Sequence, residues 1–508
     1  MSGRDDLKGL AVRGAGWMMA SQLTTQVLGL ATAIVVARFL GPREVGLAAE
    51  ALVFGSLALV LIDFGFASAI VQRPNLSPAD TSTIFWTGMA LGVLLTVAGV
   101  ALSWPIADLY GEPEVQPLFA VLSLAFLFTA PGIVQGALLA REMKFRSLEI
   151  RTIVATTASC AVGIGLALAG AGPWAIIGQH LVITSVSTAL LWRASAWRPE
   201  AVFAIASLRS MAAYTSNVFG TRVLIWASIN LDNFLVGKFA GASALGAYSI
   251  AFNLMSTPLK RIASPLTSVL FPAFSRMRDP ERIGPAWLRA VGVMAAITVP
   301  ITLGVIPVAP ELIGVLFGDE WDTAIPLLQI LAGVGLIHSL AALNDGVLQA
   351  LDRTGILFRF TAFISVVSVA AFAVAVQSSV EAVAWAYLAV TVLFQPVLLW
   401  FTAREVRQPV SAWLRSVSGV VQAGAVMTGA VVATRLLLSD SGLPDWAKLL
   451  IFVAVGAAVY LPLVVWRAPD VVAEAREAWR RRRAAEPGAA GGDVPVEETP
   501  GAAERWWL

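Results

Sequence analysis

The 508-residue sequence is poor in the side chains that most catalytic and metal-binding proteins rely on. It has one cysteine and two histidines. A lone Cys160, set in an apolar run, excludes an intrachain disulfide and gives no reading of redox compartment. No metal-spaced Cys/His cluster, Walker A sequence or HExxH motif occurs, and no nucleophile constellation, so neither an enzyme nor a cofactor is expected. Gly163-Ile164-Gly165 and Gly170-Ala171-Gly172 read as small-residue helix packing rather than phosphate binding. Charge is scarce as well: 13% of residues are charged, where a soluble chain carries roughly 25%. The formal net charge of +2 says little, and no nucleic-acid partner is expected.

What is abundant is apolar. Hydrophobic residues make up 57% of the chain and the mean hydropathy is +0.77, which defines an integral membrane protein. A membrane-spanning helix needs about 20 apolar residues, and on that measure fourteen candidate spans follow one another between residues 15 and 467. Runs this long are helices, because a helix satisfies its own backbone in lipid. The first run is too long for a signal-peptide core and reads as a retained span. No loop is long enough to hold a soluble catalytic domain.

With the N-terminus placed in the cytoplasm, 26 of the 35 Lys and Arg fall in inside segments and five outside (Arg38, Arg43, Lys238, Arg435 and Lys448). Both ends therefore read as cytoplasmic. Trp104, Trp174, Trp400 and Trp446 lie near span ends, as an interfacial aromatic belt requires.

The chain also repeats itself. Arg38-Phe39-x-Gly41-x4-Gly46-x4-Ala51 returns 200 residues later as Lys238-Phe239-x-Gly241-x4-Gly246-x4-Ala251. Gly136-Ala137-Leu138-Leu139-Ala140 returns more loosely as Gly346-Val347-Leu348-Gln349-Ala350, at an offset of 210. Two blocks in one order at nearly one spacing point to a duplication. Six spans separate the copies, an even number, so the halves share one orientation about an axis along the membrane normal, a common transporter plan. The expected organisation is a cytoplasmic N-terminus at 1–14, a first six-helix bundle at 15–198, a second at 199–403, two further helices at 404–467, and a basic, then disordered, cytoplasmic tail at 468–508.

Charge inside the membrane is costly and usually faces a cavity. Arg222 lies ~12 Å into span seven from its cytoplasmic start, and Lys260 and Arg261 lie ~16 Å from the cytoplasmic end of span eight. At similar depth the three would suit a phosphate or diphosphate, with arginine giving bidentate contacts. Snorkelling of Lys260 and Arg261 to the interface is the competing reading. Asn233 falls on the same helical stripe as Arg222, with Asp232 alongside. In the first half, Gln22 and Gln26 share a face one turn apart and would suit sugar hydroxyls, or equally helix–helix hydrogen bonds. His338, Asp345 and Gln349 fall on one stripe of span ten, where His338 and Asp345 could couple transport to protons or pair structurally. Glu50 and Asp63, nearer the ends of span two, are expected to cap or to face water. Gly41-Pro42, flanked by Arg38 and Arg43, reads as a tight turn.

Ala37-Arg38-Phe39-Leu40-Gly41-Pro42-Arg43-Glu44-Val45-Gly46 and Asp63-Phe64-Gly65-Phe66 resemble the first-hairpin signature of polysaccharide-repeat-unit flippases of the Wzx type. Leu231-Asp232-Asn233-Phe234-Leu235-Val236-Gly237, Leu245-Gly246-Ala247-Tyr248-Ser249 and Phe271-Pro272-Ala273-Phe274-Ser275 are similar to its second-half counterpart. The resemblance covers roughly residues 10–405. It implies the multidrug/oligosaccharidyl-lipid/polysaccharide exporter superfold: an all-α membrane protein of two parallel-repeat six-helix bundles around a central cavity, here with two extra C-terminal helices. The implied cargo is an oligosaccharide on a polyprenyl diphosphate, moved across a bacterial plasma membrane. The implied partners are that lipid-linked oligosaccharide, membrane lipids, a polysaccharide polymerase and glycosyltransferases. A cation-coupled drug or metabolite antiporter, a membrane-bound polymerase or ligase, and a channel are the alternatives. The antiporter would want a carboxylate-lined cavity, whereas the second-half candidates lean basic.

Overall fold

A computed structural model describes residues 2–470 and 473, apart from positions 74 and 278; side chains are described from Trp17 on, apart from positions 20, 212–214, 217, 228, 264, 265, 268 and 269. Nearly all of the expected tail lies outside the described residues. Every described regular element is helical. Among the described residues, eleven helices are long and apolar enough to cross a membrane. One of them, Trp17–Gln72, holds both of the first two expected spans. The chain turns between these at Gly41, whose φ of 72° breaks the helix Ser2–Asp63 and is the reason a residue without Cβ stands there. Helices Ile205–Ala240 and Ala242–Met277, at spans seven and eight, have 36 residues each; the apolar stretch within the first is Val218–Ala227. Among the described residues, length and composition thus give eleven candidate helices, one of them holding two expected spans, and the count of fourteen stays an expectation.

Local chemistry sets the boundaries. Helix Pro78–Tyr110 starts at a reciprocal cap, in which the Ser77 side chain accepts from the Asp80 backbone N–H and the Asp80 carboxylate accepts from that of Ser77. It stops at Gly111, at φ 75°. Span four is discontinuous: helix Leu124–Thr129 passes through a tighter turn at Ala130–Gly132, around Pro131, into Ile133–Arg141. Span ten is broken as well, between Ala324–Ala341 and Asn344–Ala350. The two breaks fall just before the blocks that repeat at an offset of 210.

The chain divides into two compact units. The first holds Met1–Ser249 with Leu316–Thr323 and Ala373–Val380. Leu47, Ala51, Val115, Leu118 and Ile177 form one of its cores. In this unit the two repeat-related hairpin turns meet. A methyl group at position 46 would stand 1.7 Å from the carbonyl oxygen of Ala242, and one at 246 would stand 1.9 Å from that of Pro42. Both pairs are related by the 200-residue offset, so the contact is its own mirror in the repeat: glycine of one turn against backbone of the other. Small residues let helices approach this closely in lipid, where association is driven by packing. The segment Leu316–Thr323 docks on the same turn through Trp321, which is fully buried and donates its indole N–H to Ala37 O at 3.1 Å. Removing so large a buried side chain costs about 3–5 kcal/mol. Arg43 completes this end with ion pairs to Glu112 (2.8 Å) and Glu114 (3.1 Å).

The second unit holds Ile250–Val315, Ala324–Phe372 and the chain from Glu381 on. Its core gathers Trp287, Met294, Val299, Val420 and Tyr460. Helices Val410–Leu437 and Asp445–Arg467 pack along each other, and Tyr460 fixes the second of them by donating its hydroxyl to Ala296 O at 2.8 Å.

Candidate functional site

Phe64 and Gly65 both adopt positive φ (40° and 77°), and this turn stops the long helix at Asp63 before Phe66–Gln72 begins. The turn leaves Asp63 with two tasks. Its Oδ1 accepts from the backbone N–H of Ala67 at 3.2 Å, and its Oδ2 is ion-paired with Arg222 Nη1. The expectation that Asp63 caps is met, but its main partner is the intramembrane arginine. Arg222 also donates from Nη2 to Ser68 Oγ at 3.3 Å. The pair is partly buried, its side chains 37% and 19% exposed. Arg222 is therefore held between two residues of a segment far away in sequence, a relation no local pattern announces.

Beside this pair, inside the first unit, is a cavity of about 410 Å³, lined by Asp63, Arg151, Thr129, Thr184, Ser187 and Thr188 among others. It reaches the discontinuity of span four at Gly132, Ile133 and Gly136. Thr129 and Thr184 give their hydroxyl protons to their own helices, at Ala125 O (2.7 Å) and His180 O (2.9 Å). Their oxygen lone pairs remain available to accept from a guest's hydroxyls. Arg151, counted from the sequence among the inside positive charges, lines the cavity, with Nη2 on Thr152 Oγ1 at 3.1 Å. The cavity lining thus offers one guanidinium, Arg151, one carboxylate, Asp63, and several hydroxyls, with Arg222 bound to that carboxylate from beside the cavity: a lining for a polar guest with charged groups to meet it.

The other sequence candidates fall in different surroundings. Gln22 is exposed and Gln26 half-buried on the first helix. Asn233 is half-buried; Asp232 is buried, accepting from its neighbour's backbone N–H at 2.8 Å and from the Tyr248 hydroxyl at 3.0 Å. Asp232 thus ties helix Ile205–Ala240 to the following helix. Lys260 is exposed, its ammonium 5.9 Å from the Phe252 ring centroid, and Arg261 is half-buried; both belong to the second unit, whereas Arg222 belongs to the first. His338 is exposed and meets Tyr387 edge-on at 5.8 Å. Asp345 and Gln349 are exposed on Asn344–Ala350. The break at 342–343 interrupts the continuous helix that their spacing from His338 assumes. Asn344, unremarked in the sequence, is fully buried beside that break, and neither end of its amide has a hydrogen-bond partner. Glu50, expected to cap or face water, is fully buried, with no partner for either oxygen; the Tyr110 hydroxyl is likewise buried and unpartnered.

Helices broken at repeat-matched places and a charged, hydroxyl-lined cavity inside a helical unit mark a membrane transporter. The fold agrees with a solved one: a lipid II flippase, MurJ, in an inward closed conformation superposes with a TM-score of 0.71 at 14% identity, over 89% of this chain and 99% of that one. Residues 35–326 match the family described as "polysaccharide biosynthesis protein". The chain is 30% identical over 365 residues to the lipopolysaccharide biosynthesis protein WzxC of Escherichia coli K12, 70% of this chain and 73% of that one. It is 27% identical to the teichuronic acid biosynthesis protein TuaB of Bacillus subtilis, over 81% of this chain and 86% of that one. The protein belongs to the polysaccharide biosynthesis protein family.

Proposed function

We propose that this protein flips a polyprenyl-diphosphate-linked oligosaccharide, a polysaccharide repeat unit, from the inner to the outer leaflet of a bacterial plasma membrane. The observation that carries the reading is Arg222, paired with Asp63 at the edge of a hydroxyl-lined cavity, in a chain of this family. A diphosphate cannot cross hydrocarbon unaided, so a hydrophilic, cationic cavity must receive it while the prenyl tail stays in the bilayer. Asp63 keeps the empty site near neutrality, since an unmatched buried charge is strongly destabilising. On binding, the diphosphate takes over the guanidinium, and the lining hydroxyls accept from sugar hydroxyls.

In this reading Gln22, Gln26 and Asn233 meet sugar hydroxyls. His338 and Asp345 are the candidates for coupling. Access to the cargo alternates between the two sides of the membrane, and the Lys/Arg bias puts both termini in the cytoplasm. The work is transport rather than catalysis, with a polymerase and glycosyltransferases acting before and after it.

The test is lipid extraction from cells lacking the gene. A polyprenyl-diphosphate oligosaccharide should accumulate while surface polysaccharide falls, and the wild-type gene should reverse both. Arg222→Ala should reach the membrane in normal amount yet fail to restore export. Absence of accumulation, with altered sensitivity to cationic drugs, would favour the antiporter instead.

A further inference from the structure

The two C-terminal helices form a second cavity, of about 400 Å³, lying wholly in the second unit. It is lined by Glu311 at the end of the proline-rich helix Pro280–Leu316, Arg435 in the last turn of Val410–Leu437, and Lys448 in the first turn of Asp445–Arg467. Glu311 is 9% exposed. Its Oε1 accepts from Arg435 Nε at 3.1 Å, and its Oε2 is buried with no partner. Lys448 is drawn from a fully solvated position, its side chain 19% exposed, and its nearest carboxylate is Asp445 at 3.8 Å.

The charges are mixed: one carboxylate with an unused oxygen, and two cations. A simple anion would meet Glu311, and a simple cation would meet Arg435 and Lys448. A ligand bearing both a phosphate and an ammonium a few ångströms apart satisfies all three. The unused carboxylate oxygen asks for an N–H donor, which a primary ammonium has and a quaternary one lacks. The surroundings say where such a ligand comes from. Leu436 lines the cavity, and it and Leu437, Leu450 and Val453 on the same two helices are 58–83% exposed, with Trp446 59% exposed at the helix start, the arrangement of a lipid-facing surface at headgroup depth.

We propose that this cavity holds the headgroup of an aminophospholipid: the ethanolamine ammonium on Glu311, the phosphate between Arg435 and Lys448, and the acyl chains along the leucine-rich surface. The appended helices then serve as the protein's lipid anchor point at the membrane face opposite its arginine-rich helix ends.

The purified protein, given an equal mixture of phosphatidylethanolamine, phosphatidylcholine and phosphatidylglycerol, is examined by native mass spectrometry. The wild type should retain phosphatidylethanolamine above the other two. Lys448→Ala should lower that retention about tenfold, the loss expected for one charge-assisted hydrogen bond. Its one ion pair is with exposed Asp445, so it should fold normally, and an unchanged melting temperature verifies this. Glu311→Gln should erase the preference for the primary amine over choline. Equal retention of the three lipids, or wild-type retention by Lys448→Ala, overturns the proposal. So does competition by soluble glycerophosphoethanolamine at equal concentration, which would make the ligand a free headgroup.

Discussion

Arg222 sits in the membrane with its charge already matched. An isolated guanidinium there would be costly, and Asp63 with Ser68 removes most of that cost while leaving the pair partly exposed. The energetic consequence is measurable. Asp63→Ala and Arg222→Ala should each lower thermal stability, and the double variant should lose less than the sum, with a coupling of about 1 kcal/mol for a partly exposed pair. Additive losses from calorimetric or fluorescence melts would mean that the two side chains do not act together. Residue-scale reading of the sequence was uneven. Arg222 was legible because a charge in an apolar run stands out by itself. Its partner was not, because pairing across the fold leaves no local mark, and the place of Asp63 near a span end announced only its capping role. The partner of Asp232 was hidden for the same reason. The Tyr248 hydroxyl that claims it belongs to the next helix.

Among the elements, the two repeat-related turns are the most constrained. Gly46 and Gly246 each lie against the other turn's backbone, where no flexible side chain can move aside. Gly46→Ala or Gly246→Ala should therefore force the turns apart and destabilise the protein by about 1–3 kcal/mol, the usual penalty for overpacking. A lowered melting temperature in detergent checks this; an unchanged one would show that the turns can separate freely. The glycines were visible in the sequence as members of the repeat, but only folding revealed that each faces the counterpart turn. The broken helices were legible in principle: Pro131-Gly132 is a breaker signal just ahead of the repeated block. Hydropathy runs through such a break without a change, and span ten carries no proline at its own, so the sequence suggested continuous helices and an unbroken His338–Asp345 stripe.

At the scale of the whole molecule, composition and periodicity were sufficient for the class. A chain with 57% hydrophobic residues and a parallel internal repeat has few architectures open to it, and the helical fold and family match follow that expectation. Interior cavities were not legible, because their walls come from single hydroxyls and charges scattered over several spans, each of which alone reads as ordinary helix packing. The assembled site makes transport of a diphosphate-linked glycan the central claim. Reconstitution tests it most directly: the protein in sealed vesicles, radiolabelled polyprenyl-diphosphate oligosaccharide in both leaflets, and a soluble glycosidase outside to report how fast the inner pool becomes accessible. Wild-type protein should speed that exposure well beyond protein-free vesicles, and Arg222→Ala should slow it about tenfold or more, as the loss of a charge-assisted contact implies. Exposure no faster than in protein-free vesicles, or unaffected by Arg222→Ala, would contradict the claim.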